Sequence, residues 1–534
     1  MVTITVDGKK IQAPEGAWLI DVCRENGIDI PHFCYHPGLG PDGNCRMCQV
    51  EFVSDRGNKL GISCKTTVAE GMVVSVNSDV AKRARASVEE MLLLNHPLDC
   101  PICDKAGECS LQDYYMEHDL QNSRQDFTRF RKEKAKDIGP TLILDQERCV
   151  LCDRCVRFLR DVAGEAQLYI AGRGHEAYIT TFPGKEVTSP YSLNTVDLCP
   201  VGALTAKDFR FDSATWFLKN TDSVCTTCAR GCSMQIQSKK DQIYRMRPRP
   251  NLDVNGYWSC DEGRLNYKFV NVDRLARPFV RRGGETFECS LQEAIAEMRS
   301  TLGFKPAGSI DKPSAKTTVV LLSATATLEE MFLFQRLAKE SLNAPIFVAR
   351  HIPDGVDDNL LRRADKHPNA KGAEMLGIRV VNLQASSPGP EASAITEALG
   401  SDGVLVAVGF NTDVAALEPI LARAKKIVAL SGCKSWITDR ADLVIPGLTF
   451  AEKDGLVVNF EGHVQQLRPT IDSKGETEWR VVDLLIASLN GTKPHEFVTQ
   501  IRKAIQDSVP AFAGVNLTKL GSTGVRANAH AWAS

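Results

Sequence analysis

The chain has 534 residues, 43% of them hydrophobic and 24% charged, with a formal net charge of −2. It is too long for one core and reads as roughly three to four domains. The composition is globular, which excludes a disordered chain, and the charge balance gives no argument for nucleic acid or an anionic membrane as partner.

Cysteine usage is the anomaly. Seventeen of eighteen cysteines precede residue 290, and they fall in Cys-x2-Cys clusters rather than in scattered disulfide spacings. The N-terminus has neither a basic segment leading into an apolar one nor an Arg-rich amphipathic leader, so no secretory signal or transit peptide is expected. No apolar run reaches membrane-spanning length. A reducing compartment follows, where clustered cysteines point to metal or redox chemistry.

Val2, Ile4 and Val6 alternate with polar residues, and Asp7-Gly8 separates them from a second run, Lys9 to Ala13. That is a strand, a type I′ turn and a strand. Trp18 to Glu25 is a short helix stopped by Gly27. Cys34, Cys45, Cys48 and Cys64 follow, with strands expected over Met47 to Val53 and Met72 to Val76. This region resembles the plant-type ferredoxin fold, a β-grasp domain holding a [2Fe–2S] cluster. Its first cysteine gap is longer than the plant spacing. It is similar instead to the variant at the N-terminus of respiratory complex I and iron-only hydrogenases. The alternative, a zinc knuckle on Cys45 and Cys48, would want a second Cys-x2-Cys pair, which Cys64 does not supply. Gly38-Leu39-Gly40-Pro41-Asp42-Gly43 spells G-x-G-x-x-G, but it lies inside the cysteine loop with no strand before it and no helix after it. It is not a dinucleotide site.

Val80 to Leu94 is a helix with an apolar stripe of Val88, Met91, Leu92 and Leu94, ended by Pro97. His96, Cys100, Cys103 and Cys109 then place four soft ligands within fourteen residues. Spacing alone leaves two occupants open, a Cys3His zinc site and a His/Cys3 [4Fe–4S] cluster; the neighbouring sites decide for iron. The basic run from Arg124 to Lys136 is either a solvated face or a docking face for an acidic partner.

Cys149, Cys152 and Cys155 begin the bacterial ferredoxin run. The fourth position of that run is Leu159. The partner run has Ser189, Ser192 and Thr195 at its ligand positions, then Cys199-Pro200. Because the fourth cysteine of each run serves the other cluster, one complete site survives, Cys149, Cys152, Cys155 and Cys199. Zinc has no reason to place its fourth ligand in that register. Cys225, Cys228, Cys232 and Cys260 resemble the N-terminal cluster module of the molybdopterin oxidoreductases. Catalytic molybdenum members usually carry a basic residue two positions after the last cysteine; here it is Glu262, which weakens the case for a pterin. Four sites of four ligands need sixteen residues, and fifteen cysteines with His96 supply them. Cys23 reads as core, while Cys289 and Cys433 show no partner spacing.

A Pro/Ser/Lys-rich linker over Lys305 to Lys316 precedes alternating strands and helices. Buried-type strands are expected at Thr318 to Leu322, Ile346 to Ala349, Ile378 to Leu383, Val404 to Val408 and Ile427 to Leu430. A capping box at Thr327 opens one helix, and Asp413 to Lys425 forms another. This alternation predicts a doubly wound parallel sheet. Glu452-Lys453-Asp454-Gly455 and Asn459-Phe460-Glu461-Gly462-His463-Val464-Gln465 resemble the "Glu-Lys-x-Gly … Asn-x-Glu-Gly-x-x-Gln" stretch of the molybdopterin superfamily, in a domain cut short and without a metal ligand.

The order of sites resembles the large iron–sulfur subunits of NADH–quinone oxidoreductases, respiratory complex I, along the whole chain. The resemblance implies a multidomain α+β and α/β protein. Its parts are a [2Fe–2S] ferredoxin domain (1–80), a His/Cys3 [4Fe–4S] module (81–125), a [4Fe–4S] ferredoxin-like module (126–215), a molybdopterin-type [4Fe–4S] module (216–270) and a truncated molybdopterin-oxidoreductase-like α/β domain (271–534). It implies one [2Fe–2S] and three [4Fe–4S] clusters, no flavin, NAD or molybdopterin on this chain, and no catalytic residue. Electrons would arrive from NADH- and flavin-binding subunits and leave to downstream iron–sulfur subunits toward quinone. The His/Cys3 and ferredoxin-type clusters would lie in the main line, with the [2Fe–2S] feeding in and the molybdopterin-type cluster off the path. The fourth cluster is typical of bacterial members, which implies a peripheral position on the cytoplasmic side of the inner membrane. Two other readings remain: the electron-transfer subunit of a soluble NAD-linked formate dehydrogenase or hydrogenase, and a multi-zinc structural protein.

Overall fold

A computed structural model describes residues 1–119, 122–272, 274–304, 317–384, 389–411 and 415–528. They form two compact units, Met1–Leu218 and Lys219–Ser534.

The first unit opens with a five-stranded sheet in the order Lys9–Ala13, Val2–Val6, Val73–Ser75, Gln49–Phe52, Lys59–Ile62. Asp7 and Gly8 both take positive φ, 44° and 81°, as a type I′ hairpin requires. Val2, Ile4, Val6, Ile11 and Ala13 bury one face of the hairpin in a core shared with Leu19, Ile20, Val22 and Cys23 of the helix Leu19–Glu25. The strand Lys59–Ile62 is not legible in the sequence because none of its residues is buried and no alternation marks it.

The helix Asp79–Leu93 is capped by the Ser78 hydroxyl, which accepts from the Ala81 amide. Its buried face is not the expected apolar stripe: Ala81, Arg85 and Glu89 point inward, and Met91 is 66% exposed. The helix lies against strand ends that present carbonyls. Arg85 therefore serves better than a leucine, donating to Gln49 O and Val76 O at 2.9–3.1 Å. Those bonds keep the two carbonyls paired.

Further on, the strands Leu204–Ala206, Leu142–Leu144 and Lys136–Asp137 form a small antiparallel sheet. The short helices Arg154–Arg157 and Asn194–Leu198 carry Cys155 and deliver Cys199. The four positions where a second ferredoxin site would have its ligands are buried: Leu159, Ser189, Ser192 and Thr195. Thr195 Oγ1 donates to Ser192 O, and Ser192 Oγ meets Thr141 Oγ1. Much of the basic run is consumed within the chain. Arg124 pairs with Glu90, Lys132 donates to Ala177 O, and Lys134 bridges Asp99 and Glu147.

The second unit begins with an antiparallel sheet, Lys219–Val224, Ser233–Lys239 and Gln242–Pro248. An eight-stranded sheet follows in the order Glu285–Glu288, Phe279–Arg282, Leu443–Pro446, Lys426–Ser431, Val404–Val408, Thr318–Ser323, Ile346–Arg350, Arg379–Asn382. Its last six strands are parallel, and Phe279–Arg282 joins antiparallel. Helices cover both faces, so Val319, Leu321 and Leu405 face one core while Val320, Leu322 and Val406 face the other. The strand order reverses between Thr318–Ser323 and Val404–Val408, a doubly wound topology. The Thr327 capping box is present. The expected linker 305–316 and Asp413 lie outside the described residues; the helix there runs Glu418–Arg423. Among the described residues, no helix is long and apolar enough to cross a membrane.

Candidate metal centres

The structure gathers each of the four predicted ligand sets. In the first, Cys34, Cys48 and Cys64 are at most 1% exposed. The loop from Cys34 to Cys48 turns through three residues of positive φ, Gly40, Gly43 and Arg46, which wrap backbone around sulfur. The Phe33 and Cys34 amides point at Cys45 Sγ at 3.4 and 3.5 Å. Hydrogen bonds from the Cys45 and Cys64 thiols hold Cys34 far below the ordinary thiol range. The Cys64 thiol likewise draws Cys48 down to about 7. The contacts Cys45–Cys34–Cys64–Cys48 bring all four sulfurs into one cluster.

The second set lines one cavity of about 590 Å³ that contains His96, Cys100, Cys103 and Cys109. His96 follows the helix ending at Leu93, and Cys100 starts a 3₁₀ turn to Ile102. Burial, followed by the charge of Arg148, pushes His96 down to about 4. It is neutral at pH 7, with a ring nitrogen lone pair to offer. Burial raises Cys103 and pushes Cys109 up to about 11. Gly202 presses against this set: a Cβ there would lie 2.1 Å from Cys103 Sγ.

The third set, Cys149, Cys152, Cys155 and Cys199, encloses a small cavity whose other walls include Leu144, Ile179, Val201 and Leu204. Leu151 and Asp153 take positive φ, 51° and 59°. Strain at two non-glycine residues is tolerated where the loop must aim neighbouring side chains inward. Burial, then the neighbouring cysteines, pushes Cys149 up to about 12 and Cys155 well above the ordinary value.

In the second unit, Cys225, Cys228, Cys232 and Cys260 are 4–7% exposed. Cys260 caps the helix Asp261–Leu265, its sulfur accepting from the Gly263 amide. A Cβ on Gly263 would lie 2.9 Å from Cys225 Sγ and 3.4 Å from Cys260 Sγ. The resemblance-bearing stretch near the end of the chain holds this loop. Gln465 Nε2 donates to Gly231 O at 2.6 Å, Asn459 Nδ2 to Arg230 O at 3.2 Å, and the Phe460 amide to Ala229 O at 3.1 Å. Its earlier residues are structural: Glu452 pairs with Arg274, Lys453 with Glu330 and Glu478, and Asp454 with Arg502.

Among the described residues, no three His, Cys, Asp or Glu side chains converge as a single-ion site; the thiols ring shared spaces instead.

A second cavity, about 510 Å³, opens at the carboxyl ends of the parallel strands, lined by Thr325, His351, Gly409, Asn411, Lys366 and Lys453 among others. It lies where the strand order reverses, the usual ligand crevice of such sheets. Both lysines are already engaged: Lys366 Nζ bonds both Glu262 oxygens at 2.6 and 2.7 Å, and Lys453 meets Glu330 and Glu478.

Several features lie outside what spacing reveals. Arg157 donates to Cys34 O and to Gly40 O (3.2 Å), Arg154 to Tyr35 O (2.5 Å), and Asn44 Nδ2 to Leu151 O (2.9 Å). These bonds tie the first cysteine loop to the third. Gly202, three residues past Cys199, touches the second set. Only the proximity of Arg154 and Arg157 to Cys155 in sequence hinted at such a role.

Family models match in series along the chain. They are a 2Fe-2S iron-sulfur cluster binding domain (1–79), the NADH-ubiquinone oxidoreductase-G iron-sulfur binding region (85–124) and the ferredoxin-like domain of NADH-quinone oxidoreductase subunit 3 (139–205). The molybdopterin oxidoreductase Fe4S4 domain (218–272) and molybdopterin oxidoreductase (381–485) complete the series. The G subunit of the NADH-quinone oxidoreductase of Rickettsia conorii is 36% identical over 340 residues, 64% of this chain and 49% of that protein. Its namesake from Streptomyces coelicolor is 38% identical, over 64% of this chain and 40% of that protein. The NADH-ubiquinone oxidoreductase 78 kDa subunit of Candida albicans is 28% identical over 95% of this chain and 85% of that protein. The chain thus spans about half the length of the bacterial relatives it matches. Among solved structures, a chain of an NAD+-reducing [NiFe]-hydrogenase is 30% identical, with a TM-score of 0.37, over 40% of this chain and 91% of that one. With [2Fe–2S], [4Fe–4S] and molybdopterin-type domains in one continuous order, and bacterial relatives that carry one name, the chain is similar over about two thirds of its length to NADH-quinone oxidoreductase G subunits.

Proposed function

We propose that this chain is an iron–sulfur electron relay of an NADH:quinone oxidoreductase, taking electrons from flavin-bearing NADH-oxidising subunits and passing them to downstream iron–sulfur subunits toward quinone. In this reading Cys34, Cys45, Cys48 and Cys64 hold a [2Fe–2S] cluster. Three [4Fe–4S] clusters are held by His96, Cys100, Cys103 and Cys109, by Cys149, Cys152, Cys155 and Cys199, and by Cys225, Cys228, Cys232 and Cys260. The clusters supply one-electron redox chemistry when bound; the chain spaces them, excludes water and sets their potentials.

The observation that carries the reading is the continuity of the first three sites. Arg154, Arg157 and Asn44 join the Cys34 loop to the Cys149 loop, and Gly202 joins the Cys199 segment to Cys103. The relay order is then the Cys34 site, the Cys149 site, the His96 site. By the same resemblance the Cys225 site is read as off this line. The cavity beside it is read as pterin-free, because both lysines among its described lining residues already serve carboxylates and neither is left for a phosphate-bearing cofactor. The membrane arm would be reached only through partner subunits, and the chain is read as peripheral, on the cytoplasmic side of a bacterial inner membrane.

The test is metal analysis with electron paramagnetic resonance on anaerobically purified full-length protein. One [2Fe–2S] and three [4Fe–4S] clusters amount to about fourteen iron per chain. Four zinc and no iron would end the proposal. Purification of the native complex with formate oxidation and no membrane subunits would assign the relay to a soluble dehydrogenase instead.

His96 is tested separately. Neutral imidazole in place of thiolate removes a negative charge and raises the potential, as in Rieske centres. His96→Cys is expected to keep a cluster of lower potential, and His96→Ala to lose most of that signal. An unchanged spectrum and midpoint in His96→Ala would show that the histidine is not a ligand.

A further inference from the structure

Arg148 is 5% exposed, and it stands between two of the sites. On one side it is joined by a peptide bond to Cys149. On the other it lines the cavity of His96, Cys100, Cys103 and Cys109, and its Cδ and Cys103 Sγ flank the same glycine, Gly202. Its guanidinium donates through Nε and Nη2 to Asp99 Oδ2 at 3.1 and 2.9 Å, and Nε lies 3.3 Å from Asp145 Oδ2. Asp99 immediately precedes Cys100. Lys134 meets Asp99 at 2.5 Å and Glu147 at 2.9 Å from the more open side, where it is 39% exposed. Of these cations, Arg148 is the buried one, and water screens it least.

A buried network of this kind is a poor way to gain stability, since desolvating its charges offsets much of their attraction. Its position suggests another use. Reduction adds a negative charge to an iron–sulfur site, and a fixed cation nearby favours the reduced state. Net charge is one of the terms that set cluster potentials. Resting on the relay reading above, we propose that Arg148 is a shared positioning residue for potential, holding up the midpoint of the His96 site most strongly and that of the Cys149 site in the same direction. Asp99 opposes it and fixes its orientation. The guanidinium fork is locked by two carboxylates, so its charge stays in place as the sites change oxidation state.

The experiment is a redox titration followed by electron paramagnetic resonance on full-length protein, with iron content measured alongside. Arg148→Met is expected to retain iron and to lower the reduced-to-oxidised ratio of the His96 site about tenfold at the wild-type midpoint, equivalent to about 59 mV for a one-electron couple. A smaller shift of the same sign is expected at the Cys149 site, and none at the Cys225 site. Arg148→Lys should restore most of the shift, which a purely structural role would not predict. Asp99→Asn should move the His96 midpoint the opposite way, and it tests the idea even if Arg148→Met fails to assemble. Full iron with unmoved midpoints in Arg148→Met, or an unmoved midpoint in Asp99→Asn, overturns the inference. Wild-type protein without iron would instead overturn the relay reading, and this inference with it.

Discussion

Gly202→Ala is expected to strip the His96 site while leaving its neighbour largely loaded. The backbone of Gly202 is not in the left-handed region, so alanine costs nothing in φ. The cost is contact: the new methyl would stand 2.1 Å from Cys103 Sγ and 3.3 Å from Lys105 Cβ. Real Cβ atoms do not approach so closely, and the atom that must give way is a sulfur assigned to iron. Lys105 is itself 6% exposed, which leaves little room for adjustment. Loss of about four iron per chain, together with the His96-site signal, is the expected outcome, with the signals of the [2Fe–2S] and Cys225 sites retained. A Gly202→Ala protein with full iron and an unchanged signal would show that Cys103 does not need its present position and is not a ligand.

The second large effect lies in the α/β unit. Lys453 Nζ is 2.8 Å from Glu330 Oε1 and 3.1 Å from both Glu478 oxygens, and all three side chains are at most 8% exposed. Burial and the neighbouring Glu330 charge push the Glu478 carboxyl up, while Lys453 pulls it back. Burial also works against the Lys453 ammonium, yet Glu330 and Glu478 outweigh it and hold its pKa above the ordinary lysine value. Lys453→Met removes the cation and leaves a buried carboxylate group uncompensated, a change that costs about 3–5 kcal/mol. The urea unfolding transition of the second unit should move to lower concentration, while the first unit's transition stays in place. Adding Glu330→Gln should recover part of the loss, because neutral groups of similar volume are tolerated where a lone charge is not. A single variant with an unshifted transition would refute this account of the Glu452–Gly455 stretch. Gly455 shows why that stretch ends as it does: a Cβ there would meet Thr327 Cγ2 at 2.3 Å, in the capping box of the helix Leu328–Arg336.

The two predictions separate what could be read along the chain from what could not. Ligand sets are legible because metal coordination constrains residue type and spacing together. Cys149, Cys152, Cys155 and Cys199 declare themselves through the ferredoxin register, even with forty-three residues between the last two. Strand positions in the parallel sheet are legible for a related reason. A strand covered on both faces is continuously apolar, as Thr318–Ser323 and Val404–Val408 are. The hairpin at Asp7-Gly8 is legible because few residue pairs accept two successive positive φ angles.

The helix Asp79–Leu93 shows the limit. Its pattern predicts an apolar stripe, and the structure buries Arg85 instead, because what a helix face needs depends on the surface it meets. The same applies to the sites. Sequence alone supplied sixteen candidate ligands in four spaced sets, the resemblance that suggests a group for each, and the class of fold that carries them. Only the tertiary structure decided which sets adjoin one another, through Arg154 and Arg157 on one side and Gly202 on the other. It also placed Arg148 beside both the Cys103 and the Cys149 segments and set Lys366 on Glu262. The physical reason is locality. Coordination and backbone conformation are set by residues a few positions apart, whereas electrostatic environment and close approach are set by whatever the fold brings alongside.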